Sequence, residues 1–170
     1  MGIRALMDCD LGQPLAFFCS QSCPGDVILK AQDWANARRS DDAPVISGFH
    51  TPVERDVLRI LLRGSAPVIQ VLARALDGAR LPAALRSAEK EGRALIVSQF
   101  AANVRQTTAR TAEQRNRYIL TRAATIVFAH ASLGGKTEAL AAEAVALGLP
   151  VFTLASPSNA NLTGMGAQVV

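Results

Sequence analysis

The chain holds only three cysteines, Cys9, Cys19 and Cys23, and two histidines. An odd cysteine count with no C-x-x-C spacing gives neither a metal centre nor a disulfide framework, and no metal or cofactor is expected. Long apolar runs are missing as well. No stretch approaches the roughly 18 residues of a membrane span, and Asp8 and Asp10 interrupt the basic-then-apolar layout of a secretory leader. Leu6 stands where a myristoylation motif on Gly2 requires Ser or Thr. A cytoplasmic protein with no membrane partner is the expectation. Charged residues make up 19% of the chain and 49% is hydrophobic, which separates it from disordered sequences. Its 170 residues suffice for a single domain, 1–170, with a full core.

What is present is a series of short apolar runs: "PLAFFCS" from Pro14, "PVISG" from Pro44, "PVIQVLA" from Pro67, "ALIVS" from Ala94, "TIVFAH" from Thr125 and "PVFTL" from Pro150. Four open with proline, which suits the first residue of a strand because its missing N–H breaks no ladder bond. The runs are continuous rather than alternating, the mark of strands covered on both faces. Helical patterns separate them, at Pro24 to Arg38, Pro52 to Arg63, Pro82 to Glu91, Thr111 to Ala124 and Thr137 to Leu147. Alternation of this kind predicts an α/β, doubly wound, mostly parallel Rossmann-like three-layer sandwich. The expected strand order is about 3-2-1-4-5-6, with the switch point between the first and fourth runs. After Leu154 a loop with one helical turn is expected.

In such a fold, ligands bind in the crevice beyond the carboxyl ends of the strands, so the loops leaving those ends carry the chemistry. The loop "SQSCPGD" offers Ser20, Gln21 and Ser22 as donors beside Gly25. Cys23 reads either as a thiol activated at a helix start or as a small core-facing residue. In "GFHTPVE", Thr51 and Glu54 three apart with Pro52 between them predict a capping box. His50 just before it is either an acid or base near neutral pH or a hydrogen-bonded spacer. The loop "ASLGGKTE" holds Ser132, Gly134, Gly135, Lys136 and Thr137. It is not a Walker A loop, because His130 stands where the first glycine belongs. Nor does the first strand-helix unit contain G-x-G-x-x-G. Two glycines, a helix start, a lysine and a threonine still predict an anion site there; the alternative is a tight strand-to-helix turn with Thr137 near the cap.

Positive charge is concentrated in one segment, where Arg105, Arg110, Arg115, Arg117 and Arg122 face a single acid, Glu113, and account for the whole net charge of +4. A second capping box is expected at Thr111 and Gln114, with Tyr118, Ile119, Leu120 and Ala123 on a buried stripe. Arginine forks grip phosphate with two bonds at once, so an anion-facing surface is read in preference to a solvated helix face.

The stretches "PVISGFHTPVERDVLRILLRG", "APVIQVLARAL", "TAEQRNRYILTRAATIVFAHAS" and "GGKTEALAAEAVALGLPVFTL" resemble, in order and spacing, the Rossmann core of the DNA-processing protein A family, also called Smf or DprA. The likeness runs from about Leu15 to Leu154. Its most specific parts are Ser47-Gly48, Arg115-Asn116-Arg117 and the Gly-Lys-Thr turn. The resemblance implies a superfamily of nucleotide sensors, single-stranded DNA binders and phosphoribohydrolases related to the Lonely Guy enzymes, and a homodimer. Phosphate or nucleotide contacts are then expected from Ser20, Gln21, Ser22, Gly48, Arg115, Asn116, Ser132 and Gly134 to Thr137, and nucleic-acid contacts from Arg105, Arg110, Arg115 and Arg117. The phosphoribohydrolase signature is P-G-G-x-G-T-x-x-E. Here Leu140 occupies the glutamate position and Glu138 comes two residues early. The leading expectation is therefore a module that binds a nucleotide or single-stranded DNA. The rival is nucleotide N-glycosidic hydrolysis, with His50, Glu54 or Glu138 handling protons. A third reading is a scaffold acting through a protein partner.

Overall fold

The computed structural model describes residues 12–170. The sequence arguments from Gly2, Leu6, Asp8, Cys9 and Asp10 lie outside the described residues. In chain order the elements are β1 (Leu15–Cys19), α1 (Gly25–Asn36), β2 (Val45–Ser47), α2 (Pro52–Arg63), β3 (Val68–Leu72), α3 (Ala83–Lys90), β4 (Ala94–Ser98), α4 (Ala109–Arg122), β5 (Thr125–His130), α5 (Lys136–Ala146) and β6 (Val151–Thr153). A 3-10 turn (Pro157–Asn159), α6 (Ala160–Gly164) and β7 (Gln168–Val169) complete it. Among the described residues no helix is long and apolar enough to cross a membrane.

All seven strands are parallel, in the order β4-β3-β2-β1-β5-β6-β7. The doubly wound α/β sandwich is as expected, but the fourth run sits elsewhere. Ala94–Ser98 pairs along its full length with Val68–Leu72, at the edge beyond β3, so the switch point falls between β1 and β5. The chain steps outward three times, β1 to β4, with α1, α2 and α3 all on one face. It then returns to the other side of β1 through α4, and α4, α5 and α6 cover the opposite face. Constant crossover hand requires this change of face whenever the direction of travel reverses. Nothing in "ALIVS" itself marks whether a fourth step outward precedes the reversal.

Four prolines start strands as the sequence suggested. Pro14, Pro44, Pro67 and Pro150 each stand one residue ahead of a strand. Their carbonyls accept from Ala124, Leu15, Val45 and Ile126 at 2.8–3.0 Å. The ring removes only a donor the ladder does not need there. Two cores result. One packs Phe17, Val57, Leu61 and Leu85 beneath α1–α3. The other packs Ile46, Phe128, Ile119 and Leu162 beneath α4–α6. Each fully buried side chain of this size contributes about 1.5–3 kcal/mol.

Two local expectations are corrected. Helix α4 starts at Ala109, and its capping box is Thr108 with Thr111, whose hydroxyl accepts from the Thr108 N–H at 2.9 Å, rather than Thr111 with Gln114. A threonine three residues on returns the bond as well as glutamine would, so the helix begins earlier. The tail after Leu154 is also more than a loop with one turn. It adds β7 beside β6 and buries Leu162 and Asn159 completely. With two exposed residues, β7 has no apolar run to announce it.

Candidate functional site

The crevice at the carboxyl end of β1, β2 and β5 is assembled around two buried charges, Glu54 and Arg115. Thr51 caps α2 and Glu54 completes the predicted capping box. Its carboxylate does more than cap. Oε2 accepts from the N–H groups of His50 at 2.8 Å and Thr51 at 3.2 Å, and Oε1 accepts from the Cys19 N–H at 3.1 Å. One side chain thus ties the end of β1 to the loop leaving β2. Phe49, between Gly48 and His50, has a φ of 49°. That left-handed conformation is uncommon for a bulky residue, and here it turns the chain so that the His50 and Thr51 amides face the carboxylate.

Arg115 comes from the middle of α4, on the opposite face of the sheet, and reaches the end of β2. It is only 5% exposed. A Cβ on Gly48 would lie 2.3 Å from the Arg115 guanidinium carbon, so the absence of a side chain at Gly48 is what admits the guanidinium. Burial lowers the guanidinium pKa from its ordinary value, and the Glu54 charge offsets part of that. Among the described residues its one hydrogen bond runs from Nε to Asn116 Oδ1 at 3.0 Å, which leaves both terminal nitrogens without a partner. Neither terminal nitrogen is sealed from solvent, so a mostly buried cation presents two donors where an anion can take both.

The β5 end is built differently. Helix α5 begins at Lys136 with Gly135 as its N-cap and no side-chain cap, so Thr137 lies inside the helix. Gly134 has a φ of 71°, a turn that glycine permits. Its N–H donates to Glu138 Oε2 at 2.6 Å, and Asn161 Nδ2 donates to Glu138 Oε1 at 2.6 Å. These bonds, Asn161 first, hold the Glu138 carboxyl below its ordinary value. The Gly135 N–H donates to the Ser132 carbonyl at 3.0 Å. Lys136 Nζ is 2.7 Å from Glu113 Oε1. At the helix start, therefore, the amides of Lys136, Thr137 and Glu138 are left open. Ser20 joins the two ends: its N–H donates to the His130 carbonyl at 3.0 Å and its Oγ accepts from the Ser132 N–H at 2.8 Å.

The remaining predicted residues are scattered. Gln21 and Ser22 are exposed, and the exposed His50 uses only its backbone N–H. Arg117 is engaged with Glu143, Nε to Oε2 at 3.1 Å. Arg110 and Arg117 line an open cleft of about 800 Å³ with Phe100, Val104, Gln114 and Tyr118, and Arg105 is exposed on the loop before it. Cys23 is half-buried just before α1; its thiol is lowered by a hydrogen bond with Cys19, and that of Cys19 is raised by the same bond and by burial. Sequence reasoning passed over His130 and Asn159, both buried at the β5 end and bonded to each other at 2.8 Å. A histidine closing an apolar strand was the one available signal.

No family model and no curated protein matches the chain. Among solved structures, its fold is similar to DNA processing protein A (DprA) from Streptococcus pneumoniae, with a TM-score of 0.75 at 16% identity over 93% of this chain and 58% of that one. DNA processing protein A from Helicobacter pylori, a single-stranded DNA binder, matches with a TM-score of 0.71 at 17% identity over 92% of this chain and 74% of that one. The molybdenum cofactor binding protein of Rippkaea orientalis matches with a TM-score of 0.63 at 12% identity over 93% and 88% of the two chains. At these identities the likeness is one of fold, and on that level it agrees with the resemblance drawn from the sequence.

Proposed function

We propose that the chain is a binding module for a phosphate-bearing ligand, a nucleotide or a stretch of single-stranded DNA, in a DNA-processing accessory role. The observation that carries this reading is Arg115: a charge nine-tenths buried at the carboxyl end of β2, with both terminal nitrogens unspent. Phosphate suits such a fork because it supplies two acceptors in one plane and cancels the desolvated charge. Asn116 orients the fork, and the open amides of Lys136 and Thr137 at the α5 start favour the same sign of ligand. The fold shared with a single-stranded DNA binder and a molybdenum cofactor binder supports a ligand crevice in this architecture.

The hydrolase reading finds less support. Glu54 already accepts three backbone N–H groups and Glu138 two donors, so both carboxylates act as structural acceptors. A homodimer and a cytoplasmic address belong to the proposal as well.

Native mass spectrometry of freshly purified protein tests the core of it. A nucleotide-sized mass should travel with the wild type and be lost from Arg115→Ala. Free base released from nucleoside monophosphates at more than one equivalent per chain would promote the hydrolase instead.

A further inference from the structure

His130 closes β5 at the same sheet end and is 8% exposed. Asn159, fully buried in the 3-10 turn, holds its ring. The Asn159 amide spends both hydrogens, donating from Nδ2 to the Ala129 carbonyl at 2.8 Å and to the Leu154 carbonyl at 2.9 Å. That fixes its orientation, because a flipped amide would set its oxygen against two carbonyl oxygens. Oδ1 then faces His130 Nδ1 at 2.8 Å and can only accept, so Nδ1 carries the ring hydrogen. In the neutral ring Nε2 is left as a lone-pair acceptor. Among the described residues nothing donates to it. Although the residue is only 8% exposed, Nε2 itself is not sealed from solvent, so it is an accessible acceptor. Here a fully buried asparagine from the C-terminal segment is also committed to aiming it. His50, by contrast, is exposed and its ring is held by nothing among the described residues.

We infer that His130 Nε2 accepts a hydrogen bond from the nucleoside part of the ligand, an inference that rests on the phosphate reading of Arg115. Phosphate oxygens are acceptors, so in this tautomer Nε2 does not serve them. The donors a nucleotide offers are its sugar hydroxyls and base N–H groups. β2 and β5 are the two neighbours of β1, which places the Arg115 corner and His130 about 10 Å apart, two strand spacings. A nucleotide lying across β1, with its phosphate over β2, brings its sugar or base to β5. The ligand is thus a whole nucleotide unit, free or within a strand, in preference to bare phosphate.

The test follows the ring nitrogens of His130 by long-range ¹H–¹⁵N correlation in the labelled full chain. Inorganic phosphate, AMP and an oligodeoxyadenylate are added in separate titrations. Before addition, Nδ1 should show as protonated and Nε2 as unprotonated. Phosphate should shift the Arg115 side-chain signals and leave Nε2 in place, whereas AMP should shift both. A shift with the oligomer too assigns the unit to a DNA strand, and a shift with AMP alone assigns a free nucleotide; either supports the inference. Arg115 responding while Nε2 ignores both nucleotide probes, or Nε2 carrying the hydrogen from the start, overturns it and leaves the phosphate reading in place. No Arg115 response to any probe removes both. His130→Gln should weaken AMP by about tenfold and spare inorganic phosphate. Equal weakening of both would make His130 a structural residue and overturn the inference.

Discussion

At the β2 end of the crevice a cation is buried with donors unspent, while at the β5 end the cation is exposed and paired. Arg115 sits over Gly48 with one intramolecular hydrogen bond. Lys136, its side chain 72% exposed, is held by Glu113, and the Gly134 amide beside it is held by Glu138. The glycine-lysine-threonine turn has the composition of a phosphate loop, yet the chain's own carboxylates occupy much of its donor capacity. At the arginine corner the internal anion, Glu54, acts on the charge of Arg115 but accepts its hydrogen bonds from backbone N–H groups, so the fork's terminal donors stay open. A motif announces which groups are near each other; whether they are available depends on what the rest of the fold places against them.

Removing the fork should produce the largest effect on that contrast. Arg115→Ala is expected to weaken AMP or oligonucleotide binding by about 100-fold, since two charge-assisted bonds of roughly 1.5 kcal/mol or more are lost together. Arg115→Lys should recover only part of that, because a point charge cannot make the paired contact. Isothermal titration calorimetry on both variants decides it. If Lys136→Ala costs more affinity than Arg115→Ala, the comparison is reversed.

Gly48→Ala should cost about tenfold in affinity while keeping every charged group. The added methyl would fall 2.3–2.5 Å from three guanidinium atoms, so the Arg115 head must move. Gly48 needs no positive φ, so the backbone itself accepts alanine. Unchanged affinity with an unchanged circular dichroism spectrum would show that the close approach has no bearing on binding.

The turn at the β5 end should also answer acid. The Glu138 carboxyl is lowered from 4.5 by Asn161 and then the Gly134 N–H. The stability it gives the turn is therefore fully present above the unfolded value and lost as pH falls through the lower folded one. The Gly134 amide shift should titrate below pH 4.5. An amide shift that stays flat on acidification would mean that Glu138 does not hold the turn.

Much of the fold was legible because continuous apolar runs led by proline leave few alternatives, and α2 was read to the residue from Thr51, Pro52 and Glu54. The place of β4 was not legible, since an edge strand in a covered sheet is as apolar as a central one. At the site, single-residue chemistry was visible and pairing was not. Arg115 was marked by its neighbours in sequence, but its burial depends on Gly48, 67 positions away in the chain. Glu138 was weighed for proton transfer, and only the fold shows that its carboxylate closes back on Gly134 and reaches Asn161. His130 was invisible as a site residue because the partner that aims it, Asn159, comes from a tail with no apolar pattern.

The smallest expected effect concerns the arginines outside both corners. Arg110 and Arg117 line the open cleft with Phe100 and Tyr118, but Arg117 already faces Glu143 at 3.1 Å. An exposed pair of this kind is worth little, about 0–1 kcal/mol, yet Arg117 must give it up before it can serve a phosphate. If single-stranded DNA runs from the Arg115 corner through this cleft, Arg110→Ala should lower the salt slope of binding by about 0.7, the value for one phosphate contact on a single strand. Arg117→Ala should lower it by less, and Arg117→Ala in a Glu143→Gln background by the full amount. The measurement is the logarithm of affinity for an oligodeoxythymidylate against the logarithm of salt concentration. Slopes identical in all variants would return these arginines to a solvated helix face and confine the ligand to the crevice. A drop for Arg117→Ala as large as that for Arg110→Ala would show instead that the Glu143 pair imposes no cost on binding.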